Sequence, residues 1–421
     1  FPTRRSSDLA LFANYAGGAD GVLLRSMLRK AAAKRWHCAT VDVRTAFLLA
    51  PRREAQSTLL TMRPPKVLQE AGIVGPNEWW EVRNAMYGLT SSPSNWTDYR
   101  NGVLKGIQWT CNGRKLQLLA TPEPNLFKVL TVDGKDDEEA LGFLALYVDD
   151  MAVVGELNMV NTLLERIQQE WKCSNPEFVV EGAYVKFCGF ELTKRGDQFL
   201  LSQQSYAQDL LDRHPGVACR STPFPGVLDE EPEDEVRIQD VRAAQGIVGE
   251  LLWLSCRTRP DFSYGVSWMG RMVTKAPRRV CQYGEHMLGY LKTTVSMALH
   301  YGSCEPGQRG ESELAFPRST LRLEVHSDAS FGPAGGRGHQ GLIAMYGGCP
   351  IQWESKQQAF GTLSTSESEL LGYTDAMVLG ESVTSVLDIL EGNKLSEEGD
   401  KVLYGDNQSG LRLLESPDKP W

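Results

Sequence analysis

The chain has 421 residues, of which 42% are hydrophobic and 23% charged, and it carries a net charge of −9. That composition suits a globular protein of two or three domains, and no run approaches the 18 or more apolar residues of a membrane span. The acidic balance argues against a broadly basic nucleic-acid-binding face, though it leaves room for a local basic groove. The nine cysteines form no C-x-x-C pair and no Cys/His zinc spacing, which points to reduced thiols in an intracellular compartment.

The first nine residues, FPTRRSSDL, resemble a translated sequencing-adapter peptide and are set apart from the fold. From Gly21 to Lys34 the spacing of Leu23, Leu24, Met27, Leu28 and Ala31 predicts a helix, with Arg25, Arg29 and Lys30 between them. A strand over Trp36–Val43 follows and delivers Asp42. Pro51 ends the next segment, and Leu59–Met62 and Trp79–Val82 are short strand candidates. Gly88 and Pro93 flank a polar loop that opens a helix through Trp96 and Tyr99.

The stretch LGFLALYVDDMAVVG, Leu141–Gly155, reads as a β-hairpin with Asp149 and Asp150 at its tip. Adjacent carboxylates repel, and a divalent cation relieves that cost. An exposed Asp-Asp turn is the alternative, since turns favour aspartate. Asp42 supplies a third carboxylate from a neighbouring strand, and three such groups can hold two Mg²⁺ ions about 3.5–4 Å apart. Phe47, five residues beyond Asp42, would lie near the sugar of a nucleotide or simply pack in the core.

Met159–Trp171 is an amphipathic helix. Phe178–Leu192 and Phe199–Leu201 are strand-like, with Ser202 as cap of a helix carrying Tyr206, Leu210 and Leu211. PFPGVLDEEPEDEV is Pro-rich and then acidic, a surface linker. Three helical patterns run from Ile238 to Leu299, broken at Pro260, and a Gly/Ser-rich linker follows. The last hundred residues restart a strand–helix alternation: a strand over Leu321–His326 ending at Asp328, two strands around Gly-Gly-Cys-Pro, a helix over Ser364–Leu390, then a strand, a turn at Asp406 and a helix. Carboxylates at strand ends in such a sheet sit where ligands bind. On the long helix, Glu369 and Glu367 are alternative partners for Asp328 and Asp406.

The blocks VDVRTAFL, YGLTSSPSNW, LALYVDDMAVVG, FCGFELTK, LSQQSYAQDLL, STPF and GELLWLSCRTRPDFSYGVS come in the order found in copia-type LTR-retrotransposon reverse transcriptases. VHSDASF, GGCPIQWESKQQAFGTLSTSESEL and LYGDNQSGLRLL resemble the RNase H domain attached to them. The resemblance runs from Gly21 to Trp421. It implies an α+β and α/β multi-domain chain: a polymerase palm with partial fingers over 10–225, an acidic linker over 226–237, a helical thumb–connection region over 238–302, a linker over 303–319 and an RNase H-like domain over 320–421.

The resemblance implies that Asp42, Asp149 and Asp150 are the palm acids, and Asp328, Glu369 and Asp406 those of the nuclease. Each set would hold two Mg²⁺ (or Mn²⁺) ions. Glu369 is preferred to Glu367 because the family's ligand immediately precedes a large residue, here Leu370. Phe47 resembles the aromatic gate that excludes a ribose 2′-OH, and Gly88 and Pro93 match the loop lining the nucleotide site. The implied partners are an RNA template, a DNA primer, their RNA–DNA hybrid and deoxynucleoside triphosphates, in a cytoplasmic particle or the nucleus, with no membrane.

Three departures stand out. Finger strands would precede the first residue, a fourth nuclease acid would follow the last, and Ser91 and Ser92 replace a usual Lys-Gln pair. Weaker nucleotide binding is the expected consequence, with a catalytically silent nucleic-acid-binding remnant as the competing reading.

Overall fold

The computed structural model describes residues 20–52, 59–134, 139–226, 231–302, 322–332, 336–393, 395–396 and 400–415. The adapter-like segment 1–9, the linker 303–319 and the end of the chain beyond 415 lie outside the described residues, as do 227–230 of the acidic linker. By compactness the chain forms two units: residues 37–178 are the described part of the first, while residues 20–36 join those from 179 onward in the second. Thus helix α1 (Gly21–Ala33) and residues 179–225, read above with the palm, belong to the second unit.

The first unit is built on a seven-stranded antiparallel sheet. Its strands are β1 (His37–Asp42), β4 (Gln108–Cys111), β5 (Arg114–Ala120), β6 (Leu126–Thr131), β7 (Gly142–Tyr147), β8 (Asp150–Gly155) and β9 (Glu177–Phe178), in the order β4-β5-β6-β7-β8-β1-β9. A small ribbon of β2 (Thr61–Met62) and β3 (Trp80–Glu81) stands apart. The short helices α2 (Ala46–Leu49) and α3 (Lys66–Glu70) precede α4 (Ser92–Gly106), and α5 (Leu157–Glu170) follows the hairpin.

Trp96 and Leu104 of α4 and Val160, Leu163, Leu164 and Ile167 of α5 share one buried core with Ala39, Val41, Leu144, Leu146, Met151 and Val153 of the sheet. β7 is buried from Gly142 to Leu146 and β8 from Met151 to Gly155, so both read as unbroken apolar runs rather than alternating strands. The hairpin tip differs from the expectation. Tyr147 pairs with Asp150, so the two-residue turn is Val148–Asp149 and Asp150 already belongs to β8.

In the second unit, β10 (Val185–Phe187), β11 (Phe190–Arg195), β12 (Gln198–Ser202) and β13 (Leu299–Tyr301) form an antiparallel sheet. Ser202 ends β12, and Gln203 rather than Ser202 precedes helix α6 (Gln204–Arg213). Helices α7 (Ile238–Ser255), α8 (Ser263–Met272) and α9 (Pro277–Thr293) pack with α6 around Leu210, Leu251, Trp268, Met287 and Leu288. The acidic segment docks onto α9, where Glu233 accepts the Arg279 backbone N–H at 2.8 Å and pairs with Arg278.

The last sheet runs β16-β15-β14-β17, from β14 (Arg322–Ser330), β15 (Arg337–Tyr346), β16 (Cys349–Gly361) and β17 (Asp400–Tyr404). β14 and β17 are parallel and the other neighbours antiparallel. Helix α10 (Thr365–Glu391) packs closely on β14 through Gly372 and Gly380: a Cβ on Gly372 would come within 2.8 Å of Ser327 Oγ, and one on Gly380 within 3.1 Å of Val325 Cγ2, a tighter than ordinary contact. Helix α11 (Gln408–Glu415) closes the described chain.

Helix α1 is buried from Val22 to Ala32, its three cations included. Arg25 makes this tolerable by donating to the carbonyls of Ile351, Cys256 and Arg257 at 2.8–3.0 Å and stacking on Trp353. Lys30 pairs with Glu391 at 2.5 Å. Among the described residues no disulfide joins the cysteines and no helix is long and apolar enough to cross a membrane.

Candidate active sites

In the first unit the pairing of β1 with β8 places Asp42 opposite Asp150. Val43 N–H donates to the Asp149 carbonyl at 3.0 Å, which ties the turn to the end of β1. Ser174 holds Asp42 from the other side: its Oγ accepts the Asp42 N–H at 3.0 Å and its own N–H donates to the Asp42 carbonyl at 2.8 Å. The backbone at all three acids is therefore pinned.

The electrostatics follow from that crowding. Burial, then the charges of Asp149 and Asp42, push the Asp150 carboxyl up to about 6. Asp42 is raised by burial and by Asp149, with Arg44 opposing. Burial and Asp42 raise the Cys173 thiol to about 11, so it stays protonated beside the acids.

Of the other predicted residues, Phe47 is half-buried against the core and meets Tyr87 at 5.1 Å between ring centroids. Gly88 sits at φ +90 with open space where a Cβ would be. Pro93 lies in the first turn of α4, where the polar loop opens into the helix. That loop is tied down by Ser92, whose Oγ accepts from the Met86 N–H at 2.9 Å and donates to its carbonyl at 2.6 Å.

In the second unit the last paired residues of the parallel strands are His326 of β14 and Tyr404 of β17. Asp328 and Asp406 each follow two residues later at the same end of the parallel pair, Asp406 beyond β17 but Asp328 still inside β14 and paired with Gly341 of β15, so that strand runs on to Ser330 rather than ending at Asp328. Glu369 faces them from α10. Among the described residues, only Asp328, Glu369 and Asp406 bring one ligand atom each within 4.8 Å of one another. Asp42, Asp149 and Asp150 are neighbours along the sheet without that convergence of their carboxylates.

Glu369 is the unusual member. It is buried, its Oε2 has no hydrogen-bond partner among the described residues, and burial followed by the charges of Asp406 and Asp328 lifts it to about 7 against an opposing hydrogen bond from the Ala329 backbone. Glu367 has another occupation: its carboxylate accepts the Leu363 N–H at 2.6 Å while Ser364 Oγ accepts the Glu367 N–H at 3.1 Å, a capping arrangement that starts α10. Around the triad, Ser368 Oγ donates to the Ser330 carbonyl at 3.1 Å and Gln358 Nε2 to the Ser368 carbonyl at 2.7 Å, which locks the helix against β14 and β16. One turn beyond Glu369, the Tyr373 hydroxyl accepts the Asn407 N–H at 3.2 Å, next to Asp406.

Sequence alone did not single out Ser368, Tyr373 or Arg100, and it placed Trp96 on the helix without a role at the acids. The available signal was helical spacing: Tyr373 lies four residues past Glu369 and Arg100 four past Trp96.

No protein-family profile matches the chain. Over 326 residues it is 29% identical to a Ty5-1 transposon protein of Saccharomyces cerevisiae, covering 75% of this chain and 92% of that protein. It is 25% identical over 403 residues to the retrovirus-related Pol polyprotein from transposon RE1 of Arabidopsis thaliana, and 22% identical over 408 residues to that from transposon TNT 1-94 of Nicotiana tabacum. These matches cover 94% and 93% of the chain but only 24% and 27% of the two plant polyproteins, so the chain spans about a quarter of their length.

Proposed function

We propose, from the premise that the chain belongs to the copia-type retrotransposon Pol polyproteins, that it is an RNA-directed DNA polymerase carrying a ribonuclease H. The polymerase site is assigned to Asp42, Asp149 and Asp150 with Phe47, Gly88 and Pro93 on the nucleotide side. The ribonuclease site is assigned to Asp328, Glu369 and Asp406. The observation that carries the reading is the convergence of those last three carboxylates within 4.8 Å at one end of the β14–β17 pair.

The residues fit a divalent cation. A buried carboxylate oxygen without a hydrogen-bond donor among the described residues, raised in pKa by burial and then by two other carboxylates, is what an oxygen-seeking ion would satisfy. When bound, Mg²⁺ or Mn²⁺ would acidify an attacking oxygen and neutralise charge developing on phosphate. The chain's own contribution is geometric. The two parallel strands and α10 hold the nuclease acids, and the β1–β8 register with Ser174 holds the polymerase acids. Phe47 would pack beside the nucleotide's sugar. An RNA template, a DNA primer, their hybrid and deoxynucleoside triphosphates are the proposed partners, and binding should weaken with salt.

A second reading, a nucleic-acid-binding remnant with a silent polymerase site, draws on one observation: Asp42, Asp149 and Asp150 do not converge. The first reading draws on the β1–β8 register, which sets Asp42 opposite Asp150 beside the turn that carries Asp149. Primer extension on a homopolymer RNA template with Mg²⁺ tests it. Synthesis abolished by Asp149→Asn is the expected result, and no synthesis by the wild type would favour the remnant.

A further inference from the structure

The turn that carries Asp149 begins with an unsuitable residue. Val148, the first of its two residues, has φ +54. A two-residue hairpin that needs positive φ there ordinarily uses glycine, and a β-branched side chain is among the worst choices. Such a conformation persists only where its surroundings over-determine it.

The surroundings here are two side chains of α4. Trp96 Nε1 donates to the Val148 carbonyl at 2.6 Å, and Arg100 Nη1 donates to the same oxygen at 2.8 Å. Both residues are completely buried, one helical turn apart. Burying a guanidinium is costly, and the cost is visible: burial brings Arg100 down to about 10 despite the opposing charge of Asp149, and its Nη2 has no hydrogen-bond partner among the described residues. An apolar residue of similar length would fill the same volume without that penalty, as buried ion replacements elsewhere show. What it could not do is grip the Val148 carbonyl.

We propose that Arg100, together with Trp96, is a positioning residue that clamps the Val148 carbonyl and thereby holds the strained turn in the conformation that sets Asp149 and Asp150 beside Asp42. The inference rests on the polymerase reading for its functional meaning. The clamp itself concerns only this chain's backbone. Because the same helix begins at Ser92, which fixes the loop behind Gly88, α4 sets the proposed acids and the proposed nucleotide loop on one rigid element.

The test compares the full chain with Arg100→Met, Arg100→Lys, Trp96→Phe and Arg100→Met/Val148→Gly. Two readouts are taken: hydrogen exchange of peptides covering 146–151, and steady-state extension of an oligo(dT) primer on poly(rA) with dTTP. In Arg100→Met, exchange accelerates at the turn alone, kcat falls on the order of 10²-fold and KM for dTTP is unchanged. Arg100→Lys keeps part of the activity. The added Val148→Gly restores much of it, because glycine needs no clamp to hold positive φ. If Arg100→Met does not fold, Arg100→Lys and Trp96→Phe carry the comparison. The proposal is overturned if turn exchange and kcat stay at wild-type values, or if exchange rises uniformly across β1, β7 and β8, which would mark Arg100 as a core residue only. A wild-type chain that makes no product defeats the polymerase reading, and exchange at the turn then decides the clamp by itself.

Discussion

Glu369 carries the sharpest consequences of any single residue. Its carboxyl lies near 7 in the folded chain against an ordinary 4.5, so folding favours its protonated form. That contribution to stability is complete below pH about 4.5 and is lost as pH rises through 7. Glu369→Gln should therefore stabilise the metal-free protein at pH 8, by roughly 1–3 kcal/mol given the usual cost of an unsatisfied buried group, with little effect at pH 4.5. Thermal melts at the two pH values check this. In the wild type, Mn²⁺ should raise the melting temperature at pH 8 and barely at pH 5.5, because the ion competes with that proton. Glu369→Gln should abolish the part of the Mn²⁺ shift that belongs to the second unit.

Glu367, two residues earlier, should behave oppositely. Its work is at the start of α10, so Glu367→Ala or Ser364→Ala should cost about 1 kcal/mol of stability and leave the Mn²⁺ shift intact. The distinction was legible in the sequence. The preference for Glu369 rested on the resemblance, through Leu370 after it, and the Ser364-x-x-Glu367 capping-box spacing was an independent signal for the role of Glu367. Not legible was the missing hydrogen bond on Glu369 Oε2, since that depends on what the fold brings near it.

At the scale of elements, the hairpin β7–β8 is closed at its base by two glycines, Gly142 and Gly155, that face each other in the ladder. A Cβ on Gly142 would come within 2.5 Å of the Val154 carbonyl, whereas one on Gly155 meets chiefly the flexible end of Met159. Gly142→Ala should thus destabilise the first unit by about 1–3 kcal/mol as an overpacking change, and Gly155→Ala by less. Denaturant titration of the two variants gives the order.

Helix α1 provides the matching case in the second unit. Arg25→Ala removes three carbonyl contacts and a stacking partner from Trp353, and should cost about 3–5 kcal/mol, the range for breaking a buried charged network. Here periodicity found the helix but not its burial, because the partners of Arg25 lie more than two hundred residues away. Conversely, β4, β5 and β6 went unread although Asn112–Gly113, between Trp109 and Leu116, is a two-residue hairpin signal. Lys115 and Gln117 alternate with the buried Leu116 and Leu118, the pattern of a half-buried strand, while β6 is a mostly apolar run broken by Lys128. The hairpin carrying Asp149 was legible, but its turn was set one residue late, since nothing in VDD announces a valine at positive φ.

For the molecule as a whole, the two acid sets fall in different compact units, and ordered motifs made both sets legible before any geometry was known. Geometry separates them: among the described residues the carboxylates of Asp328, Glu369 and Asp406 converge and those of Asp42, Asp149 and Asp150 do not. If each set serves its own chemistry, the two activities should separate by mutation. The most direct measurement uses one labelled RNA template annealed to a differently labelled DNA primer, with Mg²⁺ and deoxynucleotides, so that extension and RNA cleavage are read from the same lane. The wild type should extend the primer and cut the RNA, Asp149→Asn should cut without extending, and Glu369→Gln should extend without cutting. Loss of both activities in either variant, or extension that survives Asp149→Asn, would contradict the account.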